Sequence, residues 1–199
     1  MAALQLHSDW ELRWAPYDQV TYDMVLGQLA PGDVILDIGA GDLRLACQMA
    51  ACVERVFAME INPVLPAQAP RPLPANLEVI EGDALRQPFP EGITCGVLLM
   101  RHTRHYAEYA ARLRQAGATR LITNARWRMS VETVDLSNGG RRYDGLPFGW
   151  YACQCGATGF KPGPAEVLTP ENVTPIHEVC QCPVCGRQRT GLHGPSGIP

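Results

Sequence analysis

Residues 34–42 read Val34-Ile35-Leu36-Asp37-Ile38-Gly39-Ala40-Gly41-Asp42, and from Leu43 to Val53 the apolar residues return at helical spacing. A short apolar run broken only by Asp37 is the pattern of a strand buried on both faces, which implies parallel neighbours with helices above and below. Gly39 and Gly41 then let the chain turn tightly, with no Cβ between the backbone and anything lying against it. The stretch is a strand, a glycine turn and a helix, the unit from which layered α/β sheets are built.

The same rhythm continues outward. Arg55–Glu60 (RVFAME), Leu77–Glu81, Thr94–Met100 and Arg120–Thr123 read as four more strands, with helices expected over Thr21–Leu29 and Tyr106–Ala116. Prolines at 63, 66, 70, 72 and 74 remove too many donors for a long helix, so the crossover between the second and third strands is expected to be irregular. After Thr123 the pattern changes. Ser130–Leu136 alternates, Asn138-Gly139-Gly140 is a turn signal, and Phe148–Cys153 is expected to return as an antiparallel partner. The fold class is α/β, a mostly parallel sheet with an antiparallel end.

Ligands of such sheets sit at the carboxyl ends of the strands. Three places there carry chemistry. The first is the Gly39-Ala40-Gly41 turn. The second is Glu60, about 20 residues further on, where an acid bonds ribose hydroxyls. The third is Glu81-Gly82-Asp83-Ala84, where a carboxylate accepts from the exocyclic amine of adenine and Ala84 leaves room for the ring. A dinucleotide site would carry another Gly or Ala at the next step of the first motif. Arg44 stands there, which argues against NAD or FAD.

Asp37-Ile38-Gly39-Ala40-Gly41-Asp42, then VFAMEINP from Val56, then NLEVIEGDAL from Asn76 resemble the class I S-adenosylmethionine-dependent methyltransferase family over about residues 15–136. The resemblance implies a Rossmann-like methyltransferase sheet with S-adenosyl-L-methionine as cofactor. It places the methionine part against Gly39, Ala40 and Gly41, its amino group by Asp37, the ribose by Glu60 with Ile61 beside it, and the adenine by Asp83 and Ala84. NLEVIEGDAL is similar to ribosomal RNA adenine dimethyltransferases. Enzymes acting on base amines carry an Asn/Asp-Pro-Pro-Tyr or Asn-Leu-Pro-Tyr motif after the fourth strand, whereas this chain has Leu98-Leu99-Met100-Arg101-His102, which argues against adenine-N6 or exocyclic cytosine as acceptor. Trp14-Ala15-Pro16-Tyr17 and Gly39–Arg44 also resemble the lysine-methyltransferase-like group, with Leu43 where that group has glycine.

Methyl transfer to a neutral amine or hydroxyl needs in-line positioning and, for some acceptors, a proton acceptor. Arg101, His102 and His105 beyond the fourth strand, and Asn124 at the tip of the fifth, occupy the rim where the methyl group would sit. His102 is the first candidate base, and a capping histidine is the competing reading. Arg126 and Trp127 either flank a substrate or belong to the core.

Of eight cysteines, Cys47, Cys52 and Cys95 lie among apolar residues, while Cys153, Cys155, Cys180, Cys182 and Cys185 crowd into the last quarter. Cys182-Pro183-Val184-Cys185-Gly186 is a zinc knuckle, and Cys153-Gln154-Cys155-Gly156 is a second with one spacer fewer. Cys153, Cys155, Cys182 and Cys185 are the expected ligands of a structural Zn2+, with Cys180 and His177 as possible replacements for Cys155.

The chain is 199 residues long, 46% hydrophobic and 19% charged, with net charge −3. That balance argues against non-specific nucleic-acid binding. Yet nine arginines between Arg101 and Arg142 face three acids, an excess of six positive charges that reads either as solvated faces or as a surface for an anionic substrate. No run is long enough for a membrane span and no secretory signal is visible, so a cytoplasmic location without a membrane partner is expected. The expected organisation is a methyltransferase core over 1–145, a zinc-ribbon-like element over 146–190 and a flexible tail over 191–199. The expected function is methyl transfer to a protein side chain or RNA. A small-molecule methyltransferase and a non-catalytic cofactor-binding or docking protein are the alternatives.

Overall fold

The computed structural model describes residues 16–127 and 130–190, with side chains through Gly186. Trp10, Trp14, Arg128 and the segment 191–199 lie outside the described residues, as do the side chains of Arg187 and Arg189. The chain forms two compact units that divide between Ser137 and Asn138, upstream of the boundary expected after residue 145.

The first unit is built on a six-stranded sheet in the order β3-β2-β1-β4-β5-β6. Its strands are β1 (Val34–Ile38), β2 (Arg55–Glu60), β3 (Leu77–Glu81), β4 (Cys95–Leu98), β5 (Arg120–Thr123) and β6 (Glu132–Asp135). The first five are parallel and β6 runs antiparallel to β5. The helices are α1 (Gln19–Leu26), α2 (Arg44–Ala50) and α3 (Tyr106–Gln115). The proline-rich crossover holds only a 3-10 turn, Pro66–Gln68, as its composition predicted.

Alternation along the strands splits the core in two. Ile35, Val56, Ala58, Cys95 and Ile122 pack with Tyr22 and Val25 of α1 and with Leu45, Ala46 and Met49 of α2. Leu36, Ile38, Phe57, Met59 and Leu121 pack with Tyr106, Tyr109 and Leu113 of α3 on the other face. Gly96 sets the depth of that second layer, because a Cβ there would overlap both δ carbons of Leu113. At the amino ends of the strands, buried Asp33 takes both contacts of Arg120 at 2.6 Å and the Ala30 N–H at 2.7 Å. This fixes β1 to β5 across the bottom of the sheet. The chain runs outward from β1 to β3 and then returns to β4, so the topological switch point lies between β1 and β4.

The second unit holds a four-stranded sheet in the order β7-β10-β8-β9. Its strands are β7 (Arg141–Arg142), β8 (Gly149–Cys153), β9 (Thr158–Lys161) and β10 (Ile176–Cys180), followed by the short helices α4 (Pro170–Val173) and α5 (Pro183–Thr190) placed before and after β10. This corrects one expectation. Phe148–Cys153 does not return to pair with residues 130–136; β8 pairs antiparallel with β9 and parallel with β10. The backbone at Gly140 passes so close to Glu178 and Val179 that a Cβ would lie 3.1–3.2 Å from their backbone atoms, which lets the following Arg141–Arg142 pair with β10. Leu146, Tyr151, Cys153, Val179 and Cys182 form this unit's own small core.

Candidate functional site

The strand register aligns the tips of β1, β2 and β3, with Ile38 opposite Met59 and Glu60 opposite Glu81. Gly39 and Ala40 both donate to the Met59 carbonyl, at 2.9 and 3.1 Å, so the glycine turn is pinned to the end of β2. Gly39 and Gly41 have φ of 75° and 57°, the left-handed region in which a Cβ is costly. A Cβ on Gly39 would also meet the terminal methyl of Met100 at 2.5 Å. Met100, at the tip of β4, therefore lies over the turn. It carries no motif signal, and its place was not legible in the sequence.

Glu60 is buried, and each carboxylate oxygen accepts a backbone amide at 2.9 Å: Gly41 N–H on Oε2 and Asn62 N–H on Oε1. Each oxygen keeps a second lone pair, so this acid both clamps the glycine turn and has capacity for a ribose hydroxyl. Ile61 beside it is 65% exposed, an apolar face at the rim of the same tips. Asp83 accepts the Leu85 N–H at 2.9 Å and pairs with Arg86 at 3.3 Å, holding the turn after β3, with buried Ala84 behind it.

Asp37 differs from these acids. It is 4% exposed and its Oδ2 has no hydrogen-bond partner among the described residues. Burial, then the negative charge of Glu60, pushes its carboxyl up to about 7. Tyr22 on α1 lies within electrostatic reach of Asp37, and burial pushes its phenol up to about 12. An orphaned buried carboxyl at a strand tip is costly to a protein on its own and suits a cationic ligand.

The tips of β4 and β5 form the other half of the edge. Thr123 donates to the Leu98 carbonyl at 2.7 Å and accepts the Ala125 N–H at 3.0 Å, tying the two tips together. Asn124 is 2% exposed, and among the described residues neither its Oδ1 nor its Nδ2 has a partner. The Arg101 N–H donates to the Tyr17 hydroxyl at 3.3 Å, its guanidinium lies 5.2 Å from the Tyr17 ring centre, and its Nε is buried without a partner among the described residues. His102 is exposed, and the described residues give it no orienting hydrogen bond. His105 stands in the N-cap position of α3, makes no side-chain cap bond there, and has Nδ1 3.3 Å from Glu108.

The arginines of 101–142 are dispersed through the first unit and beyond. Arg120 binds Asp33, and Arg126, with a fully buried side chain, makes paired contacts to Glu132 at 2.8 and 2.6 Å. Arg112 donates to the Gln87 carbonyl and Arg114 to that of Leu136. Arg101 and Arg104 follow β4, as Arg126 follows β5. An open depression of about 580 Å³ lined by Glu54, Arg55, Asn76 and Glu78 lies at the amino ends of β2 and β3, away from these tips.

In the second unit, Cys153 ends β8, Cys155 sits in the β8–β9 turn, Cys182 follows β10 and Cys185 lies in the first turn of α5. Their four sulfurs all lie within 4.8 Å of one another. Adjacent pairs are separated by 3.6 Å (Cys155–Cys182), 3.8 Å (Cys182–Cys185) and 3.9 Å (Cys153–Cys185). A tetrahedral zinc with bonds of about 2.3 Å requires sulfur–sulfur edges of about 3.8 Å, so the donor set fits the ion. The short first knuckle works because the turn is tight. Cys153 N–H donates to Ala157 O, Gly156 N–H donates to Cys153 O, and Gly156 takes φ of 93°. Hydrogen bonding from Cys155 pulls the Cys153 thiol down, and the same contact pushes the Cys155 thiol up, so the cluster shares its protons and a thiolate forms first at Cys153. Cys180 and His177 are not part of the cluster.

A parallel sheet with a glycine turn, a clamped acid on the next strand and a third acid on the one after defines an α/β domain of the nucleotide-cofactor-binding class. Residues 36–124 match the family described as methyltransferase domain. Over 66 residues it is 42% identical to a protein of Methanosarcina barkeri named probable ribosomal RNA small subunit methyltransferase A, a match covering 32% of this chain and 23% of that one. The chain spans about a quarter of the length of the curated relatives it matches. Similar solved structures include a dimethyladenosine transferase from Plasmodium falciparum, with 17% identity, a TM-score of 0.47, and coverage of 53% of this chain and 41% of that one. Another is a SAM-dependent methyltransferase from Thiobacillus denitrificans in complex with S-adenosyl-L-homocysteine, with 16% identity, a TM-score of 0.46, and coverage of 54% and 48%.

Proposed function

We propose that this chain is a methyltransferase that holds S-adenosylmethionine at the tips of β1, β2 and β3 and delivers its methyl group to RNA presented at the tips of β4 and β5. The observation that carries the reading is the orphaned carboxyl of Asp37 beside the clamped glycine turn, a buried acid suited to the cofactor's ammonium group. Glu60 would accept from the ribose, Asp83 from the adenine amine, and Ile61 would cover the ring. When bound, the cofactor supplies an electrophilic methyl on sulfonium; the chain's part is to position the acceptor in line with it and exclude water. The RNA acceptor is supported by the relatives' names and by the similarity of NLEVIEGDAL to ribosomal RNA methyltransferases. A protein side chain is the second reading, favoured by two features: no Pro-Pro-Tyr-type motif follows β4, and four of the nine arginines of 101–142 are engaged within the protein.

The four cysteines would hold Zn2+ with no coordination position left open, which makes the ion a brace for the second unit and not a reagent. Among the described residues no helix is long and apolar enough to cross a membrane, and we take the protein to act in the cytoplasm.

Calorimetric titration with S-adenosylhomocysteine and labelling of fractionated extract with radioactive cofactor test the function. Wild type should bind, Glu60→Ala should lose binding, and label should enter the RNA fraction. Label in protein selects the second reading, label in metabolites the small-molecule alternative, and binding without label a non-catalytic protein. No binding ends the proposal.

A further inference from the structure

Among the described residues, most of the side chains with a buried polar atom that has no partner stand at one edge of the first unit; Arg112 on α3, with its Nε, is apart from them. Asp37, Arg101 and Asn124, at or just past the carboxyl ends of β1, β4 and β5, each leave at least one such atom unsatisfied. Sheet order separates them by task. Asp37 belongs to the β1–β3 half with Glu60 and Asp83. Register sets Asp37 beside Val97 and Val97 beside Ile122, so Asn124 lies two strands across and two residues further along, roughly 12 Å away. It is therefore outside the cofactor half, on the acceptor side of the switch point.

Asn124 is the most telling of the three because both of its amide atoms are orphaned at 2% exposure. Its position is not slack. Thr123 ties the preceding residue to Leu98, and Arg126, two residues later, is fixed on Glu132. A side chain so held is preorganised, and burying both a donor and an acceptor without partners destabilises the ligand-free fold.

Resting on the transferase reading above, we propose that Asn124 is the residue that reads the acceptor, engaging through its paired donor and acceptor a nucleobase edge that presents the complementary pair. Asparagine bonds base edges in this two-point manner. Arg101, stacked on Tyr17 with Nε unpartnered, supplies the neighbouring donor for a carbonyl or phosphate oxygen of the same nucleotide.

The test uses the full chain and the variants Asn124→Leu and Asn124→Ala. Each is measured for S-adenosylhomocysteine affinity, urea midpoint and transfer of radioactive methyl groups to RNA and protein fractions. The expected result is cofactor affinity within about twofold of wild type, a midpoint equal or higher for Asn124→Leu, and RNA labelling reduced at least about 100-fold, as for a site that loses a hydrogen bond it was built to make. Retained RNA labelling overturns the proposal. So does a loss of cofactor affinity that parallels the loss of labelling, which would assign Asn124 to the other half of the edge. A lowered midpoint in both variants overturns it too, because the amide would then serve the fold. Label found in protein and not in RNA overturns the nucleobase assignment. Cofactor binding by a wild type that labels nothing refutes the transferase reading itself and this proposal with it.

Discussion

Replacing Asp37 with asparagine should make the ligand-free protein more stable in alkali while depriving it of its cofactor. Burial and the charge of Glu60 push the Asp37 carboxyl up to about 7 from an ordinary 3.8. The folded chain thus keeps this proton up to about pH 7, whereas the unfolded chain releases it near pH 4. Between those values the fold binds more protons than the unfolded state, so stability falls as pH rises. The contribution is whole below pH 4 and gone above pH 7. A gap of about three pKa units corresponds to about 4 kcal/mol, an upper figure because the buried carboxyl relaxes once ionised. Asp37→Asn removes the ionisation and keeps the shape.

The variant-minus-wild-type difference in urea midpoint, followed from pH 5 to pH 8, isolates this carboxyl from every other titrating group. With a slope of about 2 kcal/mol per molar urea, that difference should move in the variant's favour by about 1–2 M across the range. S-adenosylhomocysteine supplies the converse test. An ammonium group placed beside Asp37 should ionise it, so wild type should release about three quarters of a proton on binding at pH 6.5, read from calorimetry in buffers of different ionisation enthalpy. Asp37→Asn should bind weakly and release none. A midpoint difference that stays flat with pH would refute the reasoning, since Asp37 would then be ionised and satisfied in the free protein.

Three further outcomes follow from the packing. Leu43 is left-handed, with φ of 67°, yet fully buried. Leu43→Gly relieves about 1–2 kcal/mol of backbone strain and forfeits about 3–5 kcal/mol of buried side chain, so a net loss of about 1–4 kcal/mol is expected in urea denaturation, and a more stable variant would contradict it. Gly96→Ala brings a methyl to within 2.8 Å of Leu113 Cδ2 and should destabilise by about 1–3 kcal/mol, with Leu113→Ala in the same chain recovering part of the loss; additive losses would mean the two do not meet. Cys185→Ser should reduce bound zinc below one equivalent by elemental analysis and cut amide-exchange protection in residues 138–186; protection unchanged there would remove the brace.

What the sequence revealed and what it hid divide along a physical line. The five parallel strands were legible because burial on both faces forces short continuous apolar runs, and the glycine turn because glycine takes the φ values found at 39 and 41 at least cost. Pairing was harder. The alternation in 132–135 announces a strand, but nothing in it names the neighbour, and Phe148–Cys153 looked like a partner because it follows next in the chain. Its true neighbours are β9 and β10, and β10 becomes reachable only after a 3-10 turn and a helix of four residues. Charge misled in the same way. Arginines crowded between 101 and 142 suggested a surface, but Asp33, Glu132 and the carbonyls of Gln87 and Leu136, three of them far away in sequence, claim four of them. The leucine that replaces glycine at position 43 looked like a departure from a motif. The backbone nevertheless keeps the left-handed geometry there, and the side chain, fully buried against α1 and α2, contributes the packing that holds it. Contacts made within a strand, turn or knuckle leave a pattern in the sequence, whereas contacts between distant segments leave only the residue types. That is why Glu60 could be named in advance and the Met100 side chain lying over Gly39 could not.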